Sequence, residues 1–165
     1  MHANVIFLLV TVSINHSKNF YCSHLTNSFA ILLKNNKMEK KIISAAAIFG
    51  MLAIVFGAFG AHALKEILTL QQQNSFETGV RYQMYHALFL LFVGANSSLS
   101  ENAKSRILSF TSIGILFFSG SIYLLSTKDV TGLDFSLIGA ITPLGGLLLI
   151  IAWLLLFIEY WKKKV

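Results

Sequence analysis

Four stretches of the chain are dominated by apolar residues, and short polar segments separate them. Three of these stretches, residues 42–64, 107–125 and 135–158, contain no Lys, Arg, Asp or Glu. A hydrocarbon core about 30 Å thick is crossed by about 20 apolar helical residues, so each stretch is long enough for a transmembrane helix. The sequence therefore predicts an all-α integral membrane protein.

The fourth apolar stretch, between Arg81 and Glu101, is interrupted by polar residues. These are Gln83, His86 and Asn96. We still predict a span here, because the neighbouring spans would otherwise be joined across the membrane by the wrong number of crossings. Asn74 and Glu77 have the spacing of a capping box, which predicts that this helix begins near Ser75. The predicted fold is a four-helix transmembrane bundle over residues 38–165, with spans at about 42–64, 80–99, 106–125 and 135–158.

Residues 1–37 differ in composition from the rest of the chain. They contain six asparagines, the only cysteine and three of the five histidines. Met38 directly precedes a short charged segment and the first apolar stretch, which is the pattern of a natural start. We interpret residues 1–37 as a misassigned start or a disordered extension, with a short membrane-surface segment as the alternative.

Charge distribution indicates both the class of protein and its orientation. Only 12% of residues are charged, about half the share in soluble domains, and the net charge of +6 comes from residues that flank apolar stretches, which argues against nucleic-acid binding. One side has Lys40, Lys41, Lys104, Arg106, Lys162, Lys163 and Lys164, and the other has Lys65, Arg81 and Lys128. Because cytoplasmic loops are enriched in Lys and Arg, we expect a multi-pass membrane protein with both termini in the cytoplasm.

Polar residues within the spans are the candidate site. They are His62 on the first helix and Glu77, Arg81, Tyr82, Tyr85 and His86 on the second. On a helical wheel, five polar residues of the second helix fall within an arc of roughly 140°: Arg81, Tyr82, Tyr85, His86 and Asn96. Because ionisable groups inside a membrane usually face the bundle interior, we expect this arc to be buried and the second helix to be the most buried of the four.

Several roles for this cluster remain open. It is either a structural hydrogen-bond network, a polar path in a small transporter or channel subunit that uses Arg81, Tyr85 and His86, or a haem or quinone site formed by His62 and His86. No carboxylate or thiolate accompanies the histidines at a ligand spacing, so we expect no metal and no bound cofactor. Nothing resembles a catalytic constellation, so we expect no enzyme but a binding or assembly role, with the bilayer, further copies or other membrane proteins as partners.

Small residues and one proline form two further patterns. Ala53, Gly57 and Ala61 recur every four residues on the first helix, which favours close helix packing within the chain over a dimer interface. In the fourth helix, Pro143 is followed by Gly145 and Gly146. Because proline removes a backbone donor, this segment predicts a kink or partial unwinding, and packing explains it better than a substrate-binding helix break.

Four ordered blocks of sequence carry a resemblance to a known family. They are GAFGAHAL at 57–64, FETGVRYQMYHAL at 76–88, FSGSIYLL at 118–125 and GAITPLGG at 139–146. They resemble the signature blocks of the small bacterial inner-membrane proteins grouped as domain of unknown function 423, and a eukaryotic transmembrane relative is similar. The resemblance covers about Met38 to Trp161 and implies a small multi-pass membrane protein, without a reaction, substrate or cofactor.

Overall fold

The computed structural model describes residues 37–132 and 136–162, and side chains of the latter range from residue 138 onward. In this part the chain forms α1 (Lys37–His62), α2 (Leu70–Ala95), α3 (Glu101–Ser126), the single turn α4 (Lys128–Thr131), a 3-10 helix (Ser136–Ala140) and α5 (Ile141–Trp161). These ranges contain no strand, and the all-α prediction is confirmed. The interpretation of residues 1–36 falls outside the described residues.

Three segments are long and apolar enough to cross a membrane. They are Lys37–His62, Glu101–Ser126 and Ile138–Trp161, and they coincide with the three stretches that lack charged residues. Helix α2 has the same length as α1, 26 residues. Its polar side chains lower its mean hydropathy, so it is not among the three candidate spans. By length and composition the described residues thus contain three candidate spans, where the sequence predicted four.

The start of α2 differs from the prediction. Thr69 is the N-cap: its side-chain oxygen accepts a hydrogen bond from the Gln72 backbone N–H, and the Gln72 side chain accepts one from the Thr69 N–H, at 3.3 and 2.9 Å. The prediction of a capping box at Asn74 and a start near Ser75 is therefore wrong. Glutamine closes a capping box as well as glutamate does, and it is a good helix former, so the polar segment joins the helix.

The long helices are arranged with α2 and α3 inside. Helix α2 packs against α1 and α3, and α3 packs against α2 and α5. Nine residues of α2 and ten of α3 are buried, against three of α1 and four of α5. The second helix is thus not the most buried one, because it shares the interior with α3. We call the end of the bundle with the 96–100 connection the α2–α3 end, and the opposite end, with the 63–69 connection, the α1–α2 end.

The main apolar core lies towards the α2–α3 end. Its buried members are Ile42, Ala46, Phe89, Leu90, Val93, Leu99, Ile107, Leu108, Ala152 and Leu156. A smaller cluster of Leu64, Leu68 and Phe76 lies at the α1–α2 end. Outward faces are also apolar, with exposed side chains that include Ile48, Ile54, Leu88, Phe92, Ile113, Leu116, Leu147, Ile150 and Phe157. Such large exposed apolar surfaces mark contact with a membrane or another protein.

Pro143 does not break a span. It is the third residue of α5, which continues without interruption to Trp161. Proline is tolerated in the first turn of an α-helix. The helix is therefore not interrupted at Pro143, and the change from 3-10 to α-helix lies just before it, at Ala140 and Ile141.

The two glycines after Pro143 contact α3. A Cβ on Gly145 would lie 2.8 Å from the carbonyl carbon of Phe117, whereas one on Gly146 would lie 3.5 Å from the Phe118 ring. Gly145 therefore allows the backbones of α3 and α5 to approach each other closely, which is a packing role.

Candidate functional site

The structure divides the predicted polar cluster into an exposed part and a buried part. Glu77, Arg81, Tyr82 and Tyr85 are exposed, and only His86 is buried. The expected pair is present at long range, with Arg81 Nε 3.9 Å from Glu77 Oε1. The prediction that the arc of Arg81, Tyr82, Tyr85, His86 and Asn96 faces the interior is wrong for its three exposed members, while Asn96 is half-buried.

The buried face of α2 includes His86 but is otherwise formed by residues outside the predicted cluster. Gly79, Gln83, Leu90 and Val93 lie along it, at the three- and four-residue spacings that share one helix face. A Cβ on Gly79 would lie 2.8 Å from the ring of Tyr123. This approach to α3 requires a glycine, and tertiary packing therefore decided which face of α2 turned inward.

Both imidazole nitrogens of His86 have partners within the protein. Nδ1 lies 2.8 Å from the Tyr82 carbonyl oxygen, and Nε2 lies 3.3 Å from Trp153 Nε1. Since a carbonyl only accepts and an indole N–H only donates, Nδ1 carries the proton and Nε2 accepts. His86 therefore links α2 to α5 as a neutral side chain, with no nitrogen left for a ligand.

His62 and His86 are not brought together. His62 is exposed at the last residue of α1. Gly50 faces Ala87 across the α1–α2 contact, so His86 lies near residue 51 of α1, about 16 Å along the axis from His62 at 1.5 Å per residue. Because two ligands of one haem iron cannot be that far apart, the geometry does not support the hypothesis that His62 and His86 bind haem together.

A buried amide that the sequence presents only as an interruption connects three helices. Gln83 is 3% exposed. Its Nε2 donates to the Phe49 carbonyl on α1 at 2.9 Å, and its Oε1 accepts from the Tyr123 hydroxyl on α3 at 3.0 Å. The only sequence signal for this role is its position four residues after Gly79, on the same helix face.

Two serines of α3 complete the polar contacts inside the bundle. Ser119 Oγ donates to the Gly79 carbonyl of α2 at 2.8 Å. Ser121 Oγ and Thr142 Oγ1 of α5 lie 2.7 Å apart. These two serines thus link neighbouring helices, a role that hydrogen bonds commonly have in membranes, whereas the buried hydroxyls of Thr111 and Ser126 have no hydrogen-bond partner among the described residues.

A buried ion pair lies at the α2–α3 end. Lys104 Nζ is 2.7 Å from Glu39 Oε1, and the Lys104 side chain is only 1% exposed. The sequence placed Lys104 outside the predicted span at about 106–125, but α3 begins at Glu101 and carries it into the bundle. Nearby, Arg106 pairs with Glu159 at 3.2 Å, and Asn96 donates to the Tyr160 hydroxyl.

Cavities are found at the α1–α2 end. An apolar cavity of about 550 Å³ is lined by aromatic side chains, including Phe56, Phe59, Phe117 and Tyr123. A second one, of about 510 Å³, lies between α1 and α2, and we call it the α1–α2 groove. Gly57, Gly60 and Ala61 of α1 line it together with Phe76 and Val80 of α2, and Lys65, Glu77 and Arg81 also contribute to its lining.

This arrangement is suited to binding apolar or amphipathic molecules. In the described ranges no group of three or more His, Cys, Asp and Glu residues is placed to hold a metal ion. His86 is bonded to a carbonyl and an indole rather than to a nucleophile. The cavities are of the size of ligand pockets, about 300–1,000 Å³, and they adjoin the outward faces of α1 and α2.

Comparisons with known proteins agree with the motifs. The profile of the family described as "Protein of unknown function (DUF423)" matches residues 56–146. A UPF0382 membrane protein of Staphylococcus saprophyticus is 40% identical over 126 residues, 74% of this chain and 98% of the relative. The UPF0382 membrane protein YwdK of Bacillus subtilis is 39% identical over 123 residues, 72% of this chain and 94% of the relative.

A third relative comes from a more distant bacterium. The UPF0382 membrane protein of Haemophilus influenzae is 38% identical over 128 residues, 77% of this chain and 98% of the relative. No solved structure matches the chain. The profile covers more than half of the chain and the relatives are covered almost completely, which confirms the resemblance of the four sequence blocks. The chain belongs to the DUF423 family and is a membrane protein.

Proposed function

We propose that this chain is a four-helix integral membrane protein of the bacterial plasma membrane with both termini in the cytoplasm. In this proposal it acts by binding or assembly within the bilayer, without catalysis, and its partners are lipid and other membrane proteins or further copies of itself. One observation carries the proposal: Gln83, Ser119 and Tyr123 form hydrogen bonds between helices in the interior, while large apolar side chains cover the outward faces of all four long helices.

The case for a fourth span rests on how α2 lies along α1. Gly94 of α2 faces Ile43 near the start of α1, and Gly60 near the end of α1 faces Phe76. The two helices are therefore antiparallel neighbours through the depth that the apolar α1 crosses. Exposed Leu88 and Phe92 give α2 an apolar outward face, as contact with lipid requires.

The case against a polar path comes from the directions of the candidate side chains. A transporter or channel that used Arg81, Tyr85 and His86 would need them on one internal surface. Arg81 and Tyr85 are exposed, however, and His86 is held by Tyr82 and Trp153. Arrangements of this kind fix helices relative to one another, which supports an assembled scaffold over a conduit.

Two exposed serines near opposite ends of α2 allow a direct test of the fourth span. Ser75 lies near the α1–α2 end and Ser97 just beyond the α2–α3 end. Each is replaced by cysteine in a Cys22→Ser background, and whole cells are treated with a membrane-impermeant maleimide. We expect Ser75→Cys to react in intact cells and Ser97→Cys to react only after permeabilisation.

The controls separate the topology from the assembly role. The Cys22→Ser parent must show no labelling, and the protein must stay in the membrane fraction after an alkaline wash. Labelling of both cysteines from the same side would show that α2 does not cross, and would overturn the four-span bundle. The binding or assembly role would be contradicted if the purified protein were a monomer that retained neither lipid nor a partner protein.

A further inference from the structure

We propose that the α1–α2 groove is a binding site for one anionic phospholipid, with Arg81 and Lys65 bound to its phosphate and an acyl chain lying along Gly57, Gly60 and Ala61. This inference rests on the proposed function, because it needs α2 to cross the membrane. Three features of the groove carry it: the depth of Arg81, the shape of the floor, and the balance of charge at the rim.

Arg81 lies below the end of the bundle and is still exposed. Gly57 faces Val80 across the α1–α2 contact, so Arg81 is level with about residue 56 of α1, about 9 Å below His62 at 1.5 Å per residue. Its side chain is 53% exposed. An arginine at such a depth on a lipid-facing surface is costly unless its charge reaches the interface or a partner.

The side chain of Arg81 extends towards the α1–α2 end. Helical side chains point back towards the helix N-terminus, which for α2 is that end. Its contacts agree with this direction, since Arg81 Nη2 donates to Thr78 Oγ1 at 3.4 Å and Nε lies 3.9 Å from Glu77 Oε1. Both contacts are long, so the guanidinium keeps N–H donors for a phosphate.

The floor of the groove is shaped by small residues of α1. A Cβ on Gly60 would lie 3.0 Å from the Phe76 ring, and one on Gly57 would lie 3.3 Å from Val80. These glycines therefore let α2 approach closely, and the neighbouring exposed Ala61 leaves a trough beside the contact. An apolar trough that opens towards lipid suits an acyl chain.

The charge at the rim matches one phosphodiester. Lys65 and Arg81 supply two positive charges and Glu77 supplies one negative charge, which leaves a single positive charge. Zwitterionic lipids carry a phosphate as well, but their own cation would lie against Lys65 and Arg81. The groove therefore favours a lipid whose headgroup has a net negative charge.

The test uses full-length protein that has been delipidated in detergent. It is titrated with dioleoyl phosphatidylglycerol or, in parallel, dioleoyl phosphatidylcholine, and bound lipid is counted by native mass spectrometry. We expect one phosphatidylglycerol to bind in preference to phosphatidylcholine. Arg81→Gln and Lys65→Gln should each weaken its binding about five-fold, the effect of one basic residue at a membrane surface, and Glu77→Gln should strengthen it.

Matched variants separate the groove from the rest of the surface. Ala61→Phe should fill the groove and weaken the binding of both lipids, whereas Ala47→Phe, an exposed alanine elsewhere on α1, should not. Lys128→Gln removes an exposed cation at the same end and should leave the preference unchanged. All these positions except Lys65 lie on exposed helix surfaces, so unaltered circular dichroism is expected.

Several outcomes would overturn the site. Equal affinity for the two lipids would do so, as would equal effects of Ala61→Phe and Ala47→Phe. Displacement of phosphatidylglycerol by inorganic phosphate would assign the rim to a free anion, and a dimer that Ala61→Phe dissociates without changing lipid binding would assign the groove to a second copy. If cysteine labelling shows that α2 crosses and the lipids still bind equally, this inference fails while the four-span bundle stands.

Discussion

At the α2–α3 end of the bundle charged side chains join the helices, whereas at the α1–α2 end aromatic rings meet and leave cavities between them. The first end has the Lys104–Glu39 pair and the Arg106–Glu159 pair. At the second end Tyr123 lies between Phe56 and Phe76, with ring centroids 4.9 and 4.8 Å apart. The same four helices thus form a firmly linked end and an end with room for a ligand.

The difference places the main apolar core and the cavities at separate ends. The main apolar core, with Ile42, Leu90 and Ile107, lies towards the linked end, and the cavities lie at the other. A protein that binds lipid at one end needs its helices held elsewhere, because a ligand site cannot also be filled by side chains. Substitutions at the two ends should therefore have different consequences.

The largest effect is expected from the buried ion pair. Glu39→Ala leaves the ammonium of Lys104, whose side chain is 1% exposed, without its carboxylate. Breaking a fully buried pair costs about 3–5 kcal/mol, and because Glu39 is 32% exposed we expect a loss at the lower end of that range. Glu159→Ala is the matched control, because its partner Arg106 is 56% exposed and such pairs contribute about 0–1 kcal/mol. Unfolding in mixed micelles with increasing dodecyl sulfate measures both.

The double variant Glu39→Ala with Lys104→Met sharpens this prediction. It removes both charges, so most of the lost stability should return. Equal losses for Glu39→Ala and Glu159→Ala would show that the α2–α3 end is not held by its buried pair.

An intermediate effect is expected where α3 and α5 touch near the α1–α2 end. Gly145→Ala places a Cβ 2.8 Å from the Phe117 carbonyl carbon, and overpacking of this kind costs about 1–3 kcal/mol. Gly120→Ala, on α3, meets nothing within 4 Å and should be neutral or stabilising, because alanine favours helix. If the two variants have the same unfolding free energy in the same micelle assay, the contact between α3 and α5 at Gly145 is not tightly packed.

The smallest effect is expected from the hydroxyl that joins α3 to α2. Tyr123→Phe removes the donor to Gln83 Oε1 and keeps the ring, and such bonds in membranes average about 0.6 kcal/mol. Tyr85→Phe, at an exposed tyrosine, should change nothing. A loss well above that of Gly145→Ala would mean that polar links, rather than packing, hold the α1–α2 end.

Much of the fold could be predicted because it depends on the apolar composition and length of each segment. The apolar lengths predicted α1, α3 and α5, and the family was identified from four blocks that include the helix contacts at Gly57, Gly79 and Gly145. The candidate site was predicted poorly. Glu77, Arg81 and Tyr85 are polar, as Gln83 is. A helical wheel shows that Gln83 lies on a different face of α2 from these three residues, but it does not show which face packs against α3.

Sequence alone determined that this chain forms long apolar helices joined by short polar connections. Hydrophobicity and helix length are properties of each segment by itself, and they decide whether that segment is stable in lipid. Tertiary structure decided which face of α2 is buried, since that depends on how closely Gly79 lets Tyr123 approach. It also decided that Lys104 is an internal ion-pair partner and that Arg81 borders a groove. Those outcomes depend on the side chains of the neighbouring helix, and the sequence of one segment does not contain that information.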